Sequence, residues 1–196
     1  MNHVQTFVFF GIAGAGKGTQ VQLLQTYLKE KDDKDIVYTG TGVGFRALTT
    51  GDTYTAKRIK DTLNTGKLMP DFFATSIVAN TLSQELNEEK HLITDGYPRT
   101  IRQVDEFLDM MNFFNRAPVH VIYIEITKEE SVRRNLLRGR SDDTKEVLEK
   151  RYDEYVANVL PAIEYIRQKP EFTFHIINGE RSVEIVHKEI INKLNI

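Results

Sequence analysis

The 196-residue chain predicts an α/β fold, a five-stranded parallel sheet with helices on both faces. Five short apolar runs of strand-forming residues, Thr6–Phe10, Asp35–Tyr38, His91–Asp95, Val119–Ile126 and Phe172–Ile177, alternate with stretches of helical period. That alternation is what strands joined by crossover helices produce, and it covers the sheet on both sides. The first run also passes directly into a glycine cluster that opens a helix. No repeat, low-complexity tract or linker interrupts the pattern, so one domain is expected.

Composition narrows the function classes. A net charge of -2 provides no strong field for nucleic acid or an anionic membrane. The absence of cysteine excludes disulfides, thiolate metal sites and a cysteine nucleophile. Met1 to Thr6 is polar, and the apolar run after it is too short for a signal peptide. No stretch approaches the roughly 20 apolar residues of a membrane span. A cytoplasmic protein is expected.

The first strand leads into Gly11, Gly14, Gly16 and Gly18, after which Val21, Leu24 and Leu28 open an amphipathic helix. Gly11-x-x-x-x-Gly16-Lys17 is a phosphate-binding loop. Its glycines let backbone N–H groups turn inward to make an anion site, and the helix N-terminus adds its dipole. Lys17, read as lying in a solvated loop, supplies a point charge for the outer phosphates. Here Gly18 intervenes between that lysine and Thr19. Lys29–Asp35, of mixed charge, reads as a solvated helix end.

After the second strand, Gly40, Gly42 and Gly44 read as a loop that is mobile or leaves room for a ligand. Ala56, Ile59, Lys60 and Leu63 fit a short helix stopped by Gly66. Residues 40–69 therefore form a small helical insertion. Asp71 lies near the start of the helix that follows. Asp95 ends the third strand, and beside a phosphate loop this suggests an acid near Mg²⁺. Arg99 follows Gly96-Tyr97-Pro98 at the carboxyl edge of the sheet, where open α/β folds bind ligands.

The fourth strand ends at Thr127-Lys128-Glu129-Glu130, a capping box. Arg134 and Arg138 lie four apart on the helix it opens. Asp143, with Glu146 three residues on, is read as the cap of the next helix, which carries Arg151. Arg134, Arg138, Arg140 and Arg151 thus gather around one turn. The five histidines, His3, His91, His120, His175 and His187, have no ligand or catalytic spacing and read as structural or surface residues.

Taken together, these residues resemble the adenylate kinase family of nucleoside monophosphate kinases over nearly the whole chain. The motifs are Gly14-Ala15-Gly16-Lys17-Gly18-Thr19-Gln20, Thr41-Gly42-x-x-x-Arg46, Gly66-Lys67-Leu68-Met69-Pro70-Asp71, Asp95-Gly96-Tyr97-Pro98-Arg99-Thr100-x-x-Gln103, Arg138-Gly139 with Arg140-x-Asp142-Asp143, and Arg151. The resemblance implies a P-loop NTPase-type three-layer core (1–39, 70–137 and 144–196), a monophosphate-binding insertion (40–69) and a lid (138–143). It implies ATP, AMP and ADP as ligands, with Mg²⁺ held near Thr19 and Asp95, largely through water. Gly14, Ala15, Gly16, Lys17, Gly18 and Thr19 would hold the ATP phosphates. Arg134 and, more weakly, Arg181 match contacts to the ATP base. Arg46 and Arg99 match the pair that grips the AMP phosphate. Thr41, Lys67, Leu68, Met69, Gly96, Gln103 and the Tyr97-Pro98 turn match the acceptor site. Arg138, Arg140 and Arg151 match the arginines on the transferring phosphates. A monomer is implied.

Two departures stand out. The family acid that follows Thr-Gly is replaced by Val43, or by Thr41 if Thr39-Gly40 is the matching pair. The lid is reduced to a turn, with only Gly139 between Arg138 and Arg140, so either further closure of the 40–69 insertion or a neighbouring subunit is expected to cover the site. A kinase for UMP or CMP is the nearest alternative, but its pattern has Asn where Thr100 and Gln103 stand. A slowly hydrolysing nucleotide switch is the alternative of another class. The nearest string to a guanine-reading N-K-x-D, Asn192-Lys193-Leu194-Asn195, lacks the Asp.

Overall fold

The computed structural model describes residues 4–140 and 143–196. Of the residues singled out above, His3, Ser141 and Asp142 lie outside them. The strands are β1 (Thr6–Phe10), β2 (Ile36–Gly40), β3 (His91–Asp95), β4 (Val119–Glu125) and β5 (Phe172–Asn178), all parallel, in the order β2-β3-β1-β4-β5. The chain runs outward to β2, returns to β3 beside β1, and only then passes to the other side. The carboxyl ends of β1 and β3 therefore face the crevice where such sheets bind ligands. In register, Asp95 lies opposite Phe9 on one side and Gly40 on the other.

Helices α1 (Lys17–Asp32) and α9 (Val183–Leu194) cover one face. There Leu24, Leu28, Val186 and Ile190 pack on Phe7, Phe9, Ile93 and Ile122. Helices α4 (Asp71–Glu85), α5 (Ile101–Phe113) and α8 (Leu160–Arg167) cover the other. Val78, Leu82, Phe107, Ile163 and Ile166 meet Val8, Leu92 and Val121 there. Two apolar layers against one sheet are the reason that the inner strands β1, β3 and β4 read as nearly continuous apolar runs. Between β2 and α4 lie α2 (Thr41–Leu48) and α3 (Tyr54–Thr65). Helix α6 (Lys128–Arg138) follows β4. After it, α7 (Lys145–Glu154) runs through one π-helical turn, Tyr155–Val159, into α8. Among the described residues no helix is long and apolar enough to cross a membrane.

Two local readings are corrected. The glycine-rich stretch after β2 is not an open loop but α2. Thr41 Oγ1 donates to the Gly96 carbonyl at 2.8 Å and Phe45 is buried, so tertiary contacts override weak helix propensity. A Cβ at Gly44 would stand 3.1 Å from Ile77 of α4, so the missing side chain lets the two helices close together. The capping box at Thr127 forms by half. Thr127 Oγ1 accepts from the Glu130 N–H, but Glu130 turns to Arg133 and Arg134. The Thr127 N–H goes instead to Glu180, after β5.

The reading of His91 as structural holds, and it has a pH consequence. His91 Nδ1 accepts from the Gln5 N–H at 3.0 Å, and its Nε2–H donates to Asp32 at 3.1 Å. This tautomer is neutral, and burial pushes the imidazole below its ordinary value, against the pull of Asp32. The unfolded chain then binds a proton that the folded chain resists. Stability is complete above about pH 6.5 and is lost as the pH falls below it. The thermal unfolding midpoint is expected to drop between pH 7.5 and 5.5, and His91→Gln to reduce that dependence. An unchanged pH slope in the variant would exclude His91 as its source.

Candidate active site

The loop from Gly11 to Gly16 turns β1 into α1. Lys17, Gly18 and Thr19 form the first turn of α1, where N–H groups have no intrahelical partner. Lys17 is not in a solvated loop. It is partly buried, and its Nζ donates to the Gly11 and Ile12 carbonyls at 2.7 and 3.1 Å. Burial pushes its ammonium down to about 8, partly opposed by Asp95, with Arg99 and Arg138 adding to the fall. A lysine this close to losing its charge gains from an anion beside it. Helix α6 braces the loop from outside. Ser131 Oγ donates to the Ala13 carbonyl at 2.7 Å, and Asn135, fully buried, lies against Gly14.

A cleft of about 150 Å³ opens at the carboxyl edge of the sheet. Gly11, Ile12 and Lys17 line it together with Lys67, Leu68, Gly96, Pro98, Arg99 and Arg151. Arg99 is fixed by its neighbours. Its Nε donates to the Gly96 carbonyl at 2.7 Å, and its backbone N–H to Gln103 Oε1 at 2.7 Å. Gln103 is buried, with Nε2 donating to Asp71 at 2.8 Å. Its amide therefore holds the Arg99 turn to the start of α4. Arg46, on α2, is exposed and folds back beside Gly42. Tyr97 supports the turn from beneath. Its side chain is fully buried against Phe107 and shares a hydrogen bond with Thr75, so it does not face the cleft. Met69 also belongs to the core.

The four arginines around the turn after α6 divide. Arg138 and Arg151 both donate to Asp143, Arg138 at 3.1, 3.0 and 2.9 Å and Arg151 at 2.8 Å. The Asp143 side chain is 0% exposed. Asp143 is thus a clamp between two arginines, not the cap of α7. Thr144 is that cap, accepting from the Val147 N–H. Arg134 turns the other way, to Glu130 at 2.6 Å and to the Gly179 carbonyl at 2.9 Å. Arg140 is exposed at the edge of the described turn. Arg181 is not brought to the loop and pairs with Glu189 at 3.3 Å.

Asp95 ends β3 beside Lys17, and its Oδ1 is buried without a hydrogen-bond partner among the described residues. Sequence reasoning missed Asp143 as a clamp, and it missed the π-helical turn, whose Tyr155 and Val159 line the cleft. No local signal marks either one. The clamp needs α6 and α7 brought side by side, and a π turn has no residue pattern of its own.

A phosphate loop and a fixed arginine that line one cleft are the parts a P-loop phosphotransferase uses. Comparison with known sequences agrees. A family model described as Adenylate kinase matches residues 9–171. An adenylate kinase of Prochlorococcus marinus (strain MIT 9515) is 33% identical over 187 residues, covering 95% of this chain and 97% of the relative. One of Thermosipho africanus is 32% identical, covering 94% and 97%. One of Leuconostoc mesenteroides is 32% identical, covering 97% and 99%. The chain belongs to the adenylate kinase family and is by class a nucleoside monophosphate kinase.

Proposed function

We propose that this protein catalyses reversible, Mg²⁺-dependent phosphoryl transfer, ATP + AMP ⇌ 2 ADP. The observation that carries the reading is that Lys17, at the end of the phosphate loop, shares one cleft with Arg99 and Arg151. A single-nucleotide switch has no use for a second phosphate grip. In this reading residues 40–69 carry the acceptor and residues 138–143 act as a minimal lid. Gly14 to Thr19 hold the donor phosphates, with Arg134 at the donor base. Arg46 and Arg99 grip the acceptor phosphate.

The acceptor oxygen is already a nucleophile, so catalysis needs no covalent intermediate and no strong base. It rests on positioning and on neutralising the charge of the transferring group. Lys17, the first N–H groups of α1, Arg138 and Arg151 supply that charge, the arginines in a fork that stays protonated. A hydrated Mg²⁺ suits the donor set, which offers one carboxylate with a buried, unpartnered oxygen and the Thr19 hydroxyl in the first turn of α1. Mg²⁺ commonly keeps several waters and uses one or two carboxylates with substrate phosphates. Asp95 and Thr19 would hold it, largely through water, and it would neutralise charge on the donor phosphates.

Coupled ADP-formation rates with ATP and each of AMP, UMP and CMP test the reading. AMP is expected to be preferred. A preference for UMP or CMP would move the assignment to that kinase, and no transfer to any of them would overturn it. Gln103→Ala is expected to raise the AMP KM about tenfold and the ATP KM far less, since it removes an amide from the acceptor side and loosens the Arg99 turn. Equal rises for both substrates would exclude Gln103 from the acceptor site.

A further inference from the structure

The ends of β2 and β3 carry a polar arrangement that the residues so far described leave incomplete. Asp95 Oδ1 is buried and unpartnered among the described residues, and no carboxylate stands at positions 41–44, where Thr41, Gly42, Val43 and Gly44 follow β2. Val43 is 55% exposed. Alternation along β2 puts Ile36, Tyr38 and Gly40 on the face covered by α1, and Ile36 and Tyr38 pack there with Ile93. Ile93 and Asp95 share that face of β3, and Gly40 is the register partner of Asp95.

Tyr38 does not simply fill space under α1. Its ring lies along its own strand over Gly40, where a Cβ would come within 2.3 Å of the hydroxyl and 2.8 Å of Cζ. Only glycine at position 40 admits this placement. The phenol is half-buried, and that burial, with Asp95 adding and Arg46 opposing, pushes its ionisation up. Its hydroxyl makes no hydrogen bond among the described residues. A phenol both donates and accepts, and it is neutral at pH 7, so it can stand beside a carboxylate and a bound cation without the repulsion a lysine would bring.

We propose that Tyr38, given its place by Gly40, is a positioning residue for the cation that accompanies the donor nucleotide, its hydroxyl bonding one of that cation's waters beside Asp95. The proposal rests on the phosphotransfer reading above, and its test separates the two. Tyr38→Phe keeps the ring and removes the hydroxyl. Gly40→Ala keeps the hydroxyl and drives it from its place. ATP dissociation constants are measured by calorimetry with and without Mg²⁺, in the absence of any acceptor, alongside the Mg²⁺ concentration for half-maximal ADP formation. Both variants are expected to weaken binding in the presence of Mg²⁺ by about fivefold, the scale of one hydrogen bond. Both should raise the half-saturating Mg²⁺ by a similar factor and leave Mg²⁺-free binding within about twofold of wild type. Unchanged Mg²⁺ dependence in Tyr38→Phe, or equal weakening with and without the cation, overturns the proposal while wild-type ADP formation keeps the phosphotransfer reading intact. A wild-type protein that forms no ADP removes that reading, and the proposal with it.

Discussion

Lys17→Met is expected to lower kcat by 10²–10³ with the fold retained, since losing one preorganised charge contact in the transition state costs about 3–4 kcal/mol. Two features make the substitution informative. Methionine nearly matches the lysine stem in length, so the partly buried channel beside β1 stays filled. The Gly11 and Ile12 carbonyls lose a donor, which costs stability on the order of 1 kcal/mol and leaves the protein folded. The same two bonds mean that in the free enzyme the ammonium is held by its own loop, and the incoming phosphate must draw it away. Turnover by the coupled assay and the thermal unfolding midpoint check both parts. Near wild-type turnover would remove the phosphate-loop assignment.

Asp143→Ala is expected to be the next most damaging change, lowering kcat about 30–100-fold with a much smaller change in either KM. Misplacing a catalytic group by about 1 Å can cost that much. The carboxylate is fully buried and holds both Arg138 and Arg151. Without it the two guanidinium groups repel and swing apart, and the charge they bring to the transferring phosphate is no longer aimed. Stability should fall by about 2 kcal/mol, below the usual figure for a broken buried pair because both arginines keep contact with water. Asp143→Asn, which retains one accepting oxygen, is expected to recover part of kcat. A kcat within about threefold of wild type in the alanine variant would show that the arginines hold their positions unaided.

These two residues also mark how far the sequence could be read. Lys17 was legible because its role follows from its neighbours in the chain, a strand before it and glycines and a helix around it. The inner strands β1, β3 and β4 were legible for a similar reason, since burial on both faces leaves a nearly unbroken apolar run. Thr127 could be read as a cap because a cap bonds to a backbone N–H three residues on. Asp143 was equally close to its supposed partner, yet its carboxylate went to two arginines. The juxtaposition of α6 and α7 gives it two cations, which outweigh one backbone N–H, and Thr144 caps α7 by accepting from the Val147 N–H.

The other differences have the same origin. Glu180 takes the Thr127 N–H across 53 positions of chain because the ends of β4 and β5 are neighbours in the sheet. Gly42 and Gly44 predicted an open loop, and packing against α4 made it a helix. Tyr38 read as one more strand residue, and the place of its hydroxyl comes only from the register that sets Gly40 beside Asp95. Local chemistry, in which a residue acts on partners within about four positions, was determined by the sequence alone: the strands, the Thr127 cap, the phosphate loop and the clustering of arginines around one turn. Which of several charged partners each side chain chose, and so which arginines share a carboxylate and which glycine makes room for a tyrosine, was decided by the tertiary structure, because those choices depend on elements that meet only when the sheet is assembled.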